Sequence, residues 1–221
     1  MMISGNILNP PRLQKIDDLV RRDHFYLENS DECYYWGEYS AKQGYSYSDT
    51  NSLILNFKKS LTKQSLPEWQ YKERAIDKIS AIFRIIFQPR MFDSTTLIPV
   101  PPSKSKSHPE HDDRLFRLLQ KIGEGRNADI RELVIQTQSG EAAHQSENRP
   151  RPQDLEVIYK IDETLSKPDP GNIIVFDDVL TTGCHFKAMQ KTLNYRFPNA
   201  QIFGVFIARC LHDTDYFSNP F

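Results

Sequence analysis

The densest group of chemically capable side chains lies between residues 177 and 184. Two adjacent carboxylates, Asp177 and Asp178, are followed after a short gap by two hydroxyls and a glycine, Thr181, Thr182 and Gly183. Adjacent carboxylates can accept hydrogen bonds from a vicinal pair of hydroxyls, and a ribose presents such a pair. A turn with hydroxyls and a glycine lets backbone and side-chain donors approach a phosphate. These residue types in this order predict a site for a ribose phosphate.

The segments on either side indicate how this site would be positioned. Residues 172 to 176 form an apolar run without alternation, which is typical of a parallel strand covered on both faces. The acid pair would then lie at the carboxyl end of a strand, where open α/β sheets bind ligands. After the turn, apolar residues recur three or four apart on one face of a helix, at Phe186, Met189, Leu193 and Phe197. Its N-terminus would favour an anion through unpaired N–H groups and the helix dipole.

A solvated strand-to-helix turn without a ligand would explain each of these residues alone, but not their order. That order resembles the phosphoribosyl pyrophosphate (PRPP) motif of type I phosphoribosyltransferases. The resemblance implies that Asp177 and Asp178 are catalytic residues on the ribose 2′ and 3′ hydroxyls. It also implies that the 5′-phosphate is bound by the loop of Leu180, Thr181, Thr182, Gly183 and Cys184. The chain departs from the motif at His185, where many members carry threonine, although a neutral imidazole can still donate one hydrogen bond.

A second candidate half-site follows a predicted strand at residues 97–100. Cations and backbone donors suited to a pyrophosphate are contributed by Pro102, Ser103, Lys104, Ser105 and Lys106. The loop precedes the acid pair by about the distance at which type I phosphoribosyltransferases keep their pyrophosphate loop, although a solvated proline-bounded loop is the alternative. Residues 136 to 153 are polar and aperiodic, as in an active-site lid, and include Gln145, Arg149 and Arg151.

Residues 95 to 210 resemble more closely the competence protein F (ComF) branch of that family. The resemblance is carried by the Ile-Pro-Val-Pro run at 98–101, by Gln145 with Arg149, and by Ala208-Arg209. The amino-terminal zinc ribbon common in that branch is absent. Its Arg-Gly-Phe-Asn-Gln signature is replaced by the residues at 111–116, His-Asp-Asp-Arg-Leu-Phe.

The sequence therefore predicts an α/β fold, with a type I phosphoribosyltransferase-like (Rossmann-like) core of a central parallel sheet flanked by helices. Residues 61–221 would form this core, and residues 1–60 a small hood-like N-terminal elaboration. Within the elaboration we expect a short helix at 13–22, an aromatic strand pair or hairpin at 33–47 and a helix starting near 48–51. Further along, we expect a capping box at Ser65 and Glu68, and strands at 130–135 and 157–161.

Composition excludes several classes of protein. With 28 Lys and Arg against 29 Asp and Glu, the net charge of −1 provides no overall basic field for nucleic acid. Three cysteines without Cys-x-x-Cys spacing argue against a disulfide framework or a zinc ribbon. The polar residues at 108–113 predict a loop rather than a metal cluster. Without a signal peptide or an apolar span, a cytoplasmic protein without a membrane partner is expected.

Two functions are open at this point. The first is a phosphoribosyltransferase, a glycosyltransferase of the pentosyl type, which binds PRPP with Mg²⁺ and transfers the phosphoribosyl group to a nitrogen nucleophile. The second is a non-catalytic module that binds PRPP or a nucleoside monophosphate, or that assists DNA uptake or processing with single-stranded DNA or a DNA-processing protein as partner. The sequence does not identify the accepting base, and it leaves the oligomeric state open, with a homodimer among the options.

Overall fold

The computed structural model of the protein describes residues 10–138 and 150–211. Eight strands and five α-helices lie along these residues. The strands are β1 (Gln14–Lys15), β2 (Glu32–Ser40), β3 (Thr95–Pro99), β4 (Asp129–Ile130), β5 (Val134–Gln136), β6 (Tyr159–Ile161), β7 (Asn172–Leu180) and β8 (Gln201–Leu211). The helices are α1 (Asp49–Phe57), α2 (Gln70–Ile86), α3 (Arg114–Gly123), α4 (Pro152–Ile158) and α5 (Cys184–Arg196).

Six of the strands form a central sheet in the order β1-β2-β8-β7-β3-β4. All neighbours in this sheet are parallel except β1 and β2. The predicted α/β fold with a mostly parallel central sheet flanked by helices is confirmed. Strands β5 and β6 pair separately as a small antiparallel sheet. No helix in the described ranges has the length and apolar character needed to cross a membrane.

The direction of chain progression reverses between β3 and β7. The chain leaves β3 and reaches β4 through α3, whereas it leaves β7 and reaches β8, on the opposite side, through α5. Such a switch point opens a crevice at the carboxyl ends of the two strands, which is where doubly wound sheets bind ligands. Strand β3 ends with Pro99 opposite Phe176, while β7 continues to Leu180 beside β8. The acid pair therefore lies beyond the end of β3, at the crevice.

The two faces of the sheet are covered by different helices. On one face, the rings of Phe83 and Phe87, from α2 and its end, pack against Phe176 with centroid distances of 5.1 and 6.3 Å. On the other face, Phe186 of α5 packs against Phe206 of β8 at 6.3 Å. We call these the α2 face and the α5 face. Because side chains alternate along a strand, Asp178 shares the α2 face with Phe176, and Asp177 points to the α5 face.

The N-terminal region differs from the prediction. The expected helix at 13–22 was wrong, because these residues contain β1 and the start of a 3₁₀ turn at Arg21–Asp23. The expected strand pair at 33–47 was also wrong. Instead, a single strand, β2, joins the central sheet between β1 and β8, where Cys33 and Tyr35 become buried. The predicted helix after the polar cluster is α1, whose N-cap Ser48 accepts a hydrogen bond from the Asn51 N–H group.

Three further predictions need correction. Ser65 and Glu68 form no capping box, since α2 begins at Gln70 after a 3₁₀ turn and its N-cap has no side-chain bond. The single strand expected at 130–135 is divided between β4 and β5, which belong to different sheets. The strand expected at 157–161 begins only at 159, because α4 extends from Pro152 to Ile158. Helix α4 also includes the last two residues of the predicted lid, and proline is favourable in its first turn.

Candidate functional site

A cavity of about 250 Å³ lies at the crevice between β3 and β7. It is lined by the loop after β3, by the start of α3 and by the end of β7. All five predicted pyrophosphate-loop residues, Pro102, Ser103, Lys104, Ser105 and Lys106, line it, as do Asp177, Asp178 and Thr181. The other predicted phosphate-loop residues, Leu180, Thr182, Gly183 and Cys184, adjoin this lining in the chain. The structure thus brings together two segments that are far apart in sequence, the loop at 102–106 and the residues from 177 onward.

Asp178 is buried on the α2 face in an ion-pair network. Its two oxygens accept hydrogen bonds from Arg114 Nη2 at 2.7 Å and from Lys58 Nζ at 3.1 Å. Arg114 Nη1 also donates to Asp112 Oδ2 at 2.9 Å, so one guanidinium joins two carboxylates. Burial alone would raise the pKa of Asp178, but Lys58 and Arg114 outweigh burial and hold the pKa below its ordinary value. Asp178 is therefore a stably ionised carboxylate.

Asp177 occupies a different environment on the α5 face. Its Oδ1 accepts a hydrogen bond from the Asp178 backbone N–H at 2.8 Å. Within the described residues it forms no salt bridge. Burial, and after it the negative charge of Asp178, raise the pKa of Asp177 to about 7. Asp177 can therefore change protonation state near neutral pH, as carboxylates that act in acid–base catalysis do.

The N-terminal segment at 24–27 packs against the loop after β7 and holds it by hydrogen bonds to two of its carbonyl oxygens. His24 Nδ1 donates to the carbonyl oxygen of Thr181, and the Tyr26 N–H donates to that of Thr182 at 2.8 Å. Gly183 adopts φ = +84°, and a Cβ at this position would lie 2.8 Å from Leu27 Cδ2. Both the backbone conformation and the close approach of the segment therefore require glycine here.

Helix α5 begins directly after this glycine. The Lys187 N–H donates to the Gly183 carbonyl oxygen at 3.0 Å. The N–H groups that precede Lys187 in this turn have no acceptor within the helix. Cys184, in this turn, is buried, and its Sγ donates to the Pro150 carbonyl oxygen at 3.1 Å. Burial raises the pKa of the Cys184 thiol to about 11, so the residue fills space and is not an activated nucleophile.

His185, at the position where the sequence departs from the motif, lines the cavity. Its Nδ1 lies 2.7 Å from the hydroxyl of Tyr159, a residue of β6 that is 1% exposed. Burial lowers the pKa of His185, and the neighbouring Asp178 opposes this shift without reversing it. The imidazole is therefore neutral at pH 7.

The loop at 101–106 is held by several contacts to its backbone and side chains. Gln136 Nε2 donates to the Ser103 carbonyl oxygen at 2.8 Å, and His111 Nδ1 donates to that of Lys104 at 3.0 Å. Lys106 forms an ion pair with Glu132 at 2.8 Å. This loop is thus an ordered wall of the cavity.

Sequence reasoning missed several residues that build the site: Lys58, Arg114, Glu132, Gln136 and Tyr159. A signal existed for Arg114, because it is the first residue of α3, where the helix dipole disfavours a cation. A cation at that position indicates a nearby anion, here Asp178. The other residues carry no comparable local signal.

The predicted lid is only partly within the described residues. Gln145 and Arg149 lie outside them. Arg151 is exposed directly before α4, its N–H donates to Asp154 Oδ2 at 2.9 Å, and it is not among the cavity-lining residues. Its role in a lid stays a prediction.

The donor set of the cavity bears on whether a metal fits. In residues 10–138 and 150–211, no three His, Cys, Asp or Glu side chains are grouped as a metal site. Mg²⁺ needs no such group when it binds through one or two carboxylates and substrate phosphates. Asp177, which has no salt bridge within the described residues, could supply one of these carboxylates. The site therefore fits Mg²⁺ that arrives with a phosphate ligand.

The fold and the site define an α/β protein with a cavity at the switch point of its sheet, lined by both charged and apolar residues. No protein-family model matches the chain, and no curated protein matches it at a significant level. Functional assignment therefore depends on the residues and geometry of this chain.

Proposed function

We propose that the protein is a type I phosphoribosyltransferase-like enzyme that binds PRPP with Mg²⁺ and transfers the phosphoribosyl group to a nitrogen nucleophile. One observation supports this proposal most. The loop at 101–106, which the sequence assigns to pyrophosphate, lines one cavity together with the acid pair and with Thr181 of the loop at 180–184, which the sequence assigns to the 5′-phosphate. Nothing in either segment by itself requires that they meet.

The ribose would lie between the two loops, over the end of β7. Asp177 is the carboxylate that can accept hydrogen bonds from its hydroxyls, because Asp178 is already bonded to Arg114 and Lys58. The 5′-phosphate would lie at the N-terminus of α5, and the pyrophosphate beside Lys104 and Lys106. This arrangement uses the dipole of α5 for one phosphate and side-chain cations for the other.

In the reaction, the bond from ribose C1 to the pyrophosphate oxygen breaks and a bond from C1 to the nitrogen nucleophile forms. The bonding electron pair leaves with pyrophosphate, and the proton that the nitrogen loses passes to solvent. Lys104 and Lys106 would stabilise the leaving-group charge, and the Asp177 carboxylate the positive charge that develops on the ribose ring, since Arg114 and Lys58 already compensate the charge of Asp178. Bound Mg²⁺ would add charge neutralisation at the pyrophosphate.

Calorimetry with PRPP and MgCl₂ tests the binding part of the proposal. We expect wild type to bind and Asp177→Asn to bind at least tenfold more weakly, since a charged hydrogen-bond acceptor is lost. Asp169→Asn is the matched control, because Asp169 is an exposed carboxylate paired with Lys167 outside the cavity. Failure of wild type to bind PRPP would overturn the proposal.

Pyrophosphate release with a panel of purine and pyrimidine bases and other nitrogen nucleophiles tests the catalytic part. We expect release that depends on one nucleophile and is lost in Asp177→Asn. PRPP binding without release by any nucleophile would contradict catalysis and favour the second candidate.

That second candidate is a module that binds PRPP or a nucleoside monophosphate without turnover, or an accessory factor in DNA uptake or processing. The Asp178 network favours it, because Arg114 and Lys58 already occupy one of the two motif carboxylates. Arg114 belongs to the segment that replaces the family signature. Binding of single-stranded DNA that falls steeply with salt would support the DNA version.

A further inference from the structure

The contact between Tyr159 and His185 links the departure from the motif to a second element of the fold. Threonine, the residue that many members of the resembled family carry here, would offer a hydroxyl to a phosphate. His185 has an imidazole instead, and its Nδ1 lies 2.7 Å from the Tyr159 hydroxyl. Tyr159 is buried, so its hydroxyl cannot turn to bulk water.

This contact determines which ring nitrogen carries the proton. A buried phenol must donate its proton to an acceptor, and in the described part of the chain the partner of the Tyr159 hydroxyl is His185 Nδ1. Nδ1 therefore accepts, and a neutral imidazole must then carry its proton on Nε2. The lowered pKa of His185 agrees with a neutral ring.

The Nε2–H group is available to a ligand. His185 lies in the first turn of α5 and lines the cavity. Within the described residues Nε2 has no hydrogen-bond partner. It is also absent from the buried polar atoms that lack a partner, so it is accessible to solvent. A donor that is accessible from the cavity and lies beside the N-terminus of a helix suits an anion.

We infer that Tyr159 is a positioning residue that holds His185 as the Nε2–H tautomer, which donates a hydrogen bond to the phosphate monoester at the start of α5. The inference rests on the proposed function for the identity of the ligand. It assigns to a tyrosine–histidine pair the donor role for which threonine would serve.

The position of Tyr159 in the small sheet extends its role. Its cross-strand neighbour is Gln136, whose side chain holds the Ser103 carbonyl oxygen of the loop at 101–106. One pair of neighbouring residues therefore supports both walls of the cavity, Tyr159 through the α5 turn and Gln136 through the loop after β3. A substitution in the small sheet would therefore alter the positions of the residues at both phosphate subsites.

The first test reads the tautomer directly. Long-range ¹H–¹⁵N spectra of the wild-type protein at pH 7, with His185 assigned through His185→Thr, should show protonated Nε2 and unprotonated Nδ1. A protonated Nδ1, or a doubly protonated ring, would overturn the inference. This measurement needs neither a ligand nor a variant of Tyr159.

The second test is a double-mutant cycle with ribose 5-phosphate as the probe. We expect Tyr159→Phe to weaken binding about threefold to tenfold, as for the loss of one hydrogen bond. In the His185→Thr background the same change should have no effect, because the hydroxyl acts only through the imidazole. Tyr34→Phe is the matched control, since the Tyr34 hydroxyl bonds to Glu32 away from the cavity.

The outcomes separate the two claims. If wild type binds neither PRPP nor ribose 5-phosphate, the proposed function fails and the phosphate role of His185 fails with it. If wild type binds, but Tyr159→Phe retains full affinity or loses equally in both backgrounds, the inference fails and the proposed function stands. Thermal unfolding of each variant shows whether the fold is retained.

Discussion

The two faces of the sheet shift the pKa of an aspartate side chain in opposite directions. On the α2 face, Asp178 is bonded to Arg114 and Lys58, which hold its pKa low. On the α5 face, Asp177 has a backbone N–H as its hydrogen-bond donor, and its pKa is raised to about 7. One step along β7 therefore separates a fixed negative charge from a carboxyl that titrates near neutrality.

The difference shows how a strand can give two adjacent carboxylates separate tasks. Alternation sends them to opposite faces, and each face then sets its own electrostatics. Asp178 is suited to organising two cations, Arg114 at the start of α3 and Lys58 at the end of α1, and Asp177 to meeting a ligand. A sequence motif alone would assign both to the ribose in the same way.

The largest effect on folding is expected for Asp178→Asn. Removing one partner of a buried ion pair leaves Arg114 and Lys58 without a full counter-charge, so we expect a loss of about 3 to 5 kcal/mol in the free energy of unfolding at pH 7. Because the pKa of Asp178 is lowered in the folded protein, its stabilisation is present above the unfolded value of 3.8 and is lost as the pH falls below it. Urea unfolding at pH 7 and at pH 2.5 measures both, because the loss develops progressively between pH 3.8 and the lowered pKa of the folded state. A change as small as that of Asp169→Asn would contradict the assigned role.

Asp177→Asn should instead increase the free energy of unfolding. Between pH 3.8 and about 7, Asp177 binds a proton in the folded protein and not in the unfolded chain, so its contribution to stability falls as the pH rises. Above that window the asparagine variant should be more stable than wild type by up to about 4 kcal/mol. The gain should vanish near pH 4. Urea unfolding from pH 4 to pH 8 tests it, and a gain that is constant with pH would exclude the titration.

A variant that conserves charge sharpens the comparison on the α2 face. Arg114→Lys keeps the positive charge, but a lysine ammonium cannot reproduce the guanidinium fork that joins Asp112 and Asp178. We expect a loss of about 1 to 2 kcal/mol, smaller than for Asp178→Asn. Arg117→Lys serves as control, since Arg117 binds Glu73 one turn further along α3, outside the cavity. Equal losses of stability for the two variants would show that joining Asp112 and Asp178 through one guanidinium adds no more stability than the Arg117–Glu73 ion pair.

The parts of the molecule that were predictable from sequence are those with a local cause. The strand that carries Asp177 and Asp178 was evident from its apolar run, and the start of α5 from the Thr-Thr-Gly turn that precedes an amphipathic period. The N-cap at Ser48 belongs to the same class of signal, because the hydrogen bond that defines it spans only three residues.

The parts that were not predictable depend on contacts between distant segments. The aromatic segment predicts a strand pair or hairpin because strand residues do not indicate their partners, yet β2 pairs with β1 and with β8, which lies near the other end of the chain. Arg114 with Asp178, and Tyr159 with His185, are likewise joined only by the fold. The site was therefore visible from sequence as two loops, and the side chains that hold those loops were not.

The smallest effect on folding is expected where a cation lies outside the buried network. Lys106 is about half exposed and pairs with Glu132 on the cavity wall, and such surface pairs contribute about 0 to 1 kcal/mol. Lys106→Gln should therefore leave the free energy of unfolding within about 0.5 kcal/mol of wild type.

If the loop at 101–106 binds the pyrophosphate, the same Lys106→Gln variant should bind PRPP about tenfold more weakly, yet bind ribose 5-phosphate with unchanged affinity. Lys63→Gln removes a similarly exposed lysine, paired with Glu68 outside the cavity, and should alter neither affinity. Equal weakening for both ligands would place Lys106 near the 5′-phosphate instead, and would reverse the assignment of the two loops.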